Sequence, residues 1–138
     1  MTDLDDDARW PIEAARAADA KSATDVVVLE VGPVLALCSH FVICSAPNSR
    51  LVRTIADEVE EKVAAAGGPK PRRVEGLEDL RWVLIDYGDF VVHVFADEAR
   101  SYYDLERLWS DVPRVEWAPP GSGPGVAPAS SVSDEAGA

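Results

Sequence analysis

The chain is short of positive charge. Its 138 residues carry 13 Lys and Arg against 25 Asp and Glu, a net charge of −12. Holding nucleic acid by neutralising its phosphates needs many Lys and Arg contacts, so the charge balance argues against that class of binding. It argues against docking on an anionic membrane for the same reason. A basic partner surface is the natural complement. Long apolar runs are also missing, and nothing approaches the ~18 residues of a transmembrane helix. Asp3 and Asp5–Asp7 stand where a signal peptide would carry bases, so the expected location is the cytoplasm. Cys38 and Cys44 are the only cysteines, and in a reducing compartment two free thiols are expected. No C-x-x-C occurs, and His40 and His93 are far apart, so no metal or cofactor site is expected.

A chain of this length makes one ordinary domain. It buries roughly two-thirds of its unfolded surface, enough for a core without disulfides or metal. Three parts are expected: an acidic, disordered leader (1–9), a folded domain (10–112) and a disordered tail (113–138). From Ala118 the tail reads APPGSGPGVAPASSVSDEAGA, a composition that cannot offset its own ordering entropy. The leader holds four acids and one base, and the tail three acids and one base; removing both leaves 18 acids and 11 bases in the body. The body is therefore acidic in its own right.

Within it, residues 10–22 read as a helix with Pro11 in the first turn. Residues 25–31 (DVVVLEV) form a β-branched strand ended by Gly32-Pro33, and 41–45 a second strand. Residues 48–66 are the clearest helix. Asn48 and Ser49 are cap types, and Leu51, Val52, Ile55, Val59 and Val63 share one face. Glu58 and Lys62 are ordered for an i,i+4 pair, and Gly67-Gly68-Pro69 stops the helix. Residues 72–75 read as a short strand. Residues 81–87 and 90–96 are strands joined by Gly88-Asp89, a two-residue loop that sets the register. Residues 97–103 and 104–111 read as short helices with Asp97 and Asp104 as caps, and Leu105 and Trp109 pack the second onto the sheet.

That register predicts two unlike faces on the hairpin. Val83, Ile85, Tyr87, Phe90, Val92 and Val94 share the core face. The other carries Trp82 opposite Phe95, Leu84 opposite His93 and Asp86 opposite Val91, with Asp86 and His93 diagonal neighbours. Such a mixed face is either covered by a helix or presented to a partner. His93 is either structural, held by Asp86 or a backbone carbonyl, or part of the partner surface.

Residues 23–110 resemble the ribosomal silencing factor family (RsfS, Iojap-related). The resemblance is carried by TDVVVLEV, HFVICSA, RTIADEVEEKV and VEGLEDLRWVLIDYGDFVVHVFADEARSYYDLERLW. It implies a single small α/β domain with a mixed, about five-stranded sheet and flanking helices, similar in outline to nucleotidyltransferases. It also implies binding to the large ribosomal subunit through its fourteenth protein, which blocks joining of the small subunit and lowers translation when nutrients are short. The acidic body and aromatic-bearing face are compatible with that basic partner.

The fold resemblance raises nucleotidyl transfer, which needs paired carboxylates around Mg²⁺ and a Gly-rich phosphate cradle. The strand ending in Asp86 carries no Asp-x-Asp pair, and Ser45-Ala46-Pro47-Asn48-Ser49 stands where a cradle would be. Cys44 sits in an apolar strand with no base or positive group nearby, so a small buried hydrophobe is its reading, and Cys38 is incidental. No catalytic residues are assigned. The expected interface has Trp82, Leu84 and Tyr103 at its centre, with Asp86, Asp89 and Glu106 pairing to partner cations and His93 alongside. Arg72 and Arg73 are a solvated strand edge or a minor contact with ribosomal RNA. The rival readings are a nucleotide-acting enzyme and a dimerisation or adaptor domain using the hairpin face on itself.

Overall fold

Alternation along the central strands sends apolar side chains to both faces of one sheet, so both faces need cover. The computed structural model describes residues 3–118. In chain order the elements are α1 (Asp3–Ala20), β1 (Thr24–Glu30), β2 (His40–Ala46), α2 (Ser49–Ala65), β3 (Arg73–Glu75), β4 (Trp82–Asp86), β5 (Phe90–Ala96), α3 (Asp97–Tyr103) and α4 (Leu105–Leu108). The strands form one five-stranded sheet in the order β1-β2-β5-β4-β3. β2 and β5 are parallel and the other neighbouring pairs antiparallel, giving the expected mixed sheet. β2 is buried throughout because it is central and both its faces are covered.

On one face lie α1 and α2. Ala14, Ala15, Ala17 and Ala18 let α1 approach closely, and α2 turns Val52, Ile55, Ala56, Val59 and Val63 inward. Complete burial of such a valine or isoleucine contributes about 1.5–3 kcal/mol. Asn48 caps α2, its side chain accepting from Leu51 N–H at 2.8 Å. At the other end Gly68 N–H donates to the Val63 carbonyl at 2.8 Å and Gly67 N–H to the Ala64 carbonyl at 3.0 Å. Gly67 stands at φ 91°, so this is a Schellman stop that an L side chain would strain. Glu58 and Lys62 pair at 3.7 Å.

The hairpin register is the expected one: Ile85 faces Val92, Val83 faces Val94, and Tyr87 N–H donates to the Phe90 carbonyl at 2.9 Å across Gly88-Asp89. Val83, Ile85, Val92 and Val94 are fully buried against the helices. The second face carries a smaller core of Leu29, Val31, Phe41, Ile43, Phe95 and Ala99, onto which Leu105, Trp109 and Val112 pack.

Three local expectations change. α1 begins at Asp3, not at 10, so it takes in described residues of the supposed leader, and Pro11 lies inside it. The missing proline N–H removes one helical bond without ending the helix. Residues 113–117 are not tail. Glu30 N–H donates to the Pro113 carbonyl and Val115 N–H to the Val28 carbonyl, both at 2.9 Å, while Trp117 Nε1 donates to the Val26 carbonyl at 3.0 Å. The segment thus covers the open edge of β1, where unpaired backbone groups would otherwise face solvent; the rest of the expected tail, 119–138, lies outside the described residues. Asp97 is the first residue of α3, not its cap, and Asp104 occupies the cap position of α4 without a side-chain cap bond.

Candidate docking face

The α3–α4 segment and residues 109–112 cover only part of the second sheet face. On the β4 and β5 side Trp82, Leu84, Asp86 and Val91 remain half-buried. The mixed face is therefore covered over one part and open over the other.

Trp82 is the centre of an aromatic cluster. Its ring stacks on Phe95 at 5.0 Å between centroids and meets Tyr103 at 4.7 Å. Its indole Nε1 donates to His93 Nδ1 at 3.1 Å. Tyr103 remains 47% exposed, and Tyr102 beside it 79%. Leu108 on α4 is also open, because Leu105 and Trp109 take the inward positions of that turn. Tyr102, Tyr103, Arg107 and Leu108 line a shallow hollow between the two helices.

His93 does not sit on this surface. It is 4% exposed, packed edge-on against Phe41 at 4.7 Å. Burial drives its pKa down to about 4, so the ring is neutral at physiological pH. The expected Asp86–His93 contact is replaced by Trp82–His93. Asp86 turns the other way, accepting from Gly88 N–H at 2.8 Å and lying 3.6 Å from Arg73 Nη2. The backbone bond tightens the hairpin turn, which is why the carboxylate prefers it. Asp89 is exposed, and its carbonyl accepts from Ser39 N–H at 2.6 Å and Ser39 Oγ at 2.8 Å, pinning the turn to the β1–β2 loop. That loop exposes Val34 and Leu37.

Glu106 already has a cation partner within the chain. Arg100 Nε donates to its Oε1 at 2.9 Å, and Arg100 Nη2 lies 2.9 Å from its Oε2. Hydrogen bonding to this guanidinium holds the Glu106 carboxyl below the usual range. Arg100 also donates through Nη1 to Ser45 Oγ at 3.1 Å and to the Thr24 carbonyl at 3.2 Å. The α3–α4 break is thereby fastened to the strand ends. Arg73 bridges Asp86 and Glu75, and Arg72 lies over Gly88.

The structure thus gathers Trp82, Leu84, Asp86 and Tyr103 on one side of the sheet, puts Asp89 at its turn, buries His93 and leaves Glu106 half-buried against Arg100. Sequence reasoning missed Tyr102, Leu108 and Arg100. Leu108 is legible as a helix position off the Leu105 and Trp109 stripe, whereas nothing local marks Tyr102 or Arg100. Burial pushes the Cys44 thiol up to about 12, and burial together with Asp86 raises that of Cys38, so neither is set up as a thiolate. Among the described residues no group of three or more His, Cys, Asp or Glu could hold a metal, and no helix is long and apolar enough to cross a membrane.

A family profile described as "Ribosomal silencing factor during starvation" matches residues 6–136. The chain belongs to the ribosomal silencing factor family. Ribosomal silencing factor RsfS of Halalkalibacterium halodurans is 46% identical over 103 residues, covering 75% of this chain and 87% of that protein. RsfS of Bacillus subtilis is 41% identical over 103 residues, covering 75% and 86%. Among solved structures, a crystal structure of a Bacillus halodurans protein superposes with TM-score 0.64 at 42% identity, covering 75% of this chain and 92% of that one. The silencing-factor match spans the whole sheet and with it this open face.

Proposed function

We propose that this silencing factor binds the large ribosomal subunit through its fourteenth protein and keeps the small subunit from joining, lowering translation under nutrient limitation. The mechanism is occupancy of a surface, with no chemistry and no cofactor, and its place of action is the cytoplasm. The observation that carries the reading is the open aromatic and acidic side of the sheet in a chain of this family. Trp82, Leu84 and Tyr103 form its desolvated centre, and exposed Asp89 with half-buried Asp86 complements a basic partner. Buried aromatic anchors commonly contribute ~2 kcal/mol or more each to an interface. Charge complementarity adds association rate and register. A minor contact of Arg72 or Arg73, beside and on β3, with ribosomal RNA belongs to the same reading.

The test is a sucrose-gradient profile with purified subunits. The protein should travel with the large subunit and deplete joined ribosomes. Trp82→Glu should abolish that binding, at least a hundredfold, because an unpaired charge in an interface costs roughly 3–5 kcal/mol. Ile85→Glu should unfold the domain instead, since Ile85 is fully buried in the helix-covered core. Trp82→Glu binding like the wild type would remove the docking assignment. Self-association through the same side is the second reading, favoured by exposed Tyr102 and Leu108; light scattering of the free protein separates the two.

A further inference from the structure

The docking tryptophan does not hold itself. Its ring lies on Phe95 and against Tyr103, packing contacts that carry no polar direction. The indole N–H supplies one, since it is a donor with a single direction. We propose that His93 is a positioning residue for docking: its Nδ1 accepts the Trp82 indole N–H and so selects the ring orientation that Trp82 presents to the large subunit. The inference rests on the docking reading above.

Three observations carry it. Trp82 pairs with Phe95 and Leu84 with His93, so Trp82 and His93 are diagonal neighbours on one pleat face, within side-chain reach. The bond is 3.1 Å long, and His93 cannot withdraw, being wedged against Phe41 and stacked over Phe95. The third observation is a cost. With Nδ1 accepting, the proton of the neutral imidazole sits on Nε2, and Nε2 is buried without a hydrogen-bond partner. An unsatisfied buried donor is destabilising, and an aliphatic residue at this strand position would avoid it. The imidazole is therefore accounted for by what its other nitrogen does. One consequence bears on the partner. With the indole N–H engaged inside the protein, Trp82 asks the partner for no acceptor and offers it only ring carbon.

The experiment uses the full chain, isotopically labelled for the indole N–H signals, and purified large subunits. His93→Leu removes the acceptor and the orphaned donor together, so the melt should stay near that of the wild type. Its Trp82 indole signal should shift and exchange faster with solvent, and binding should weaken about tenfold, the scale of one lost hydrogen bond to a positioned group. His93→Asn, whose side-chain oxygen falls near the place of Nδ1, should restore the signal and bring binding back to within about threefold of the wild type. In a W82F background, which has no N–H to orient, His93→Leu should cause no further loss.

Wild-type binding by His93→Leu would overturn the proposal. So would an equal loss in the W82F background, or a folded His93→Asn that fails to recover. Failure of the docking reading looks different: Trp82→Glu itself then binds normally, which no behaviour of the His93 variants alone produces.

Discussion

Replacing Arg100 with methionine keeps the aliphatic stem that packs at the sheet end and deletes the guanidinium. Arg100 is 8% exposed, and four contacts go with it: two to Glu106, one to Ser45 Oγ and one to the Thr24 carbonyl. The Ser45 hydroxyl keeps Thr24 Oγ1 at 3.0 Å, so little is lost there. Glu106 is the larger loss. Breaking a fully buried pair costs about 3–5 kcal/mol, but its side chain is 28% exposed and water takes over part of the solvation. With charged hydrogen bonds at about 1.5–3 kcal/mol, the net expectation is about 2–3 kcal/mol. For a domain of this size that is a fall in Tm of roughly 8–12 °C. The pH dependence adds a sign. The folded-state carboxyl of Glu106 is held below its unfolded value, so its contribution is complete above the unfolded carboxylate range and is lost as pH falls through the folded value. Melts of wild type and Arg100→Met, followed by circular dichroism from neutral pH downwards, should therefore converge on acidification. A gap that stays constant with pH, or a neutral-pH difference under about 3 °C, refutes the reasoning. Large-subunit binding by the variant should also weaken. Arg100 ties α4 to α3 across Asp104, a left-handed residue at φ 50°, and the junction places Tyr103 against Trp82.

Gly76→Ala should lower the denaturant midpoint by an amount equivalent to about 3 kcal/mol, because φ is +92° and the new Cβ would collide with the Trp82 carbonyl oxygen; an unchanged midpoint contradicts that geometry. Binding to the isolated partner protein should weaken as salt rises through the range where the Debye length is ~8–10 Å, and a flat titration would instead mean a mainly apolar contact. Truncation after residue 118 should leave both melt and large-subunit binding near wild type, since the removed stretch has no anchor residues. Truncation after residue 112 also strips the Trp117 and Val115 bonds from β1 and should cost roughly 2–3 kcal/mol. Equal melts for the two truncations would show that the β1 edge needs no cover.

What the residues specify locally was legible before any coordinates. The hairpin register follows from Gly88-Asp89 because a two-residue loop leaves a single pairing, and that pairing sorts Val83 and Ile85 from Trp82 and Leu84. α2 follows from its stripe and its ends, since caps and glycine stops act within a few residues. The family resemblance rests on the same continuous stretches. Distant pairings were not legible. His93 has two diagonal neighbours on its face, Trp82 and Asp86, and the spacing treats them alike; the choice fell to Trp82 because Gly88 N–H and Arg73 draw the carboxylate away. Glu106 reads as a surface acid until Arg100, across a helix break, is seen to reach it. Residues 113–117 read as tail because their partner is β1, more than 80 residues earlier, and an edge strand's need for cover has no signature in the segment that supplies it. Sequence alone therefore determined α2, the hairpin register and the sorting of its two faces, which depend on neighbours in the chain. Tertiary structure alone decided which side chains of that face stay open, because burial depends on whatever the rest of the chain lays over them.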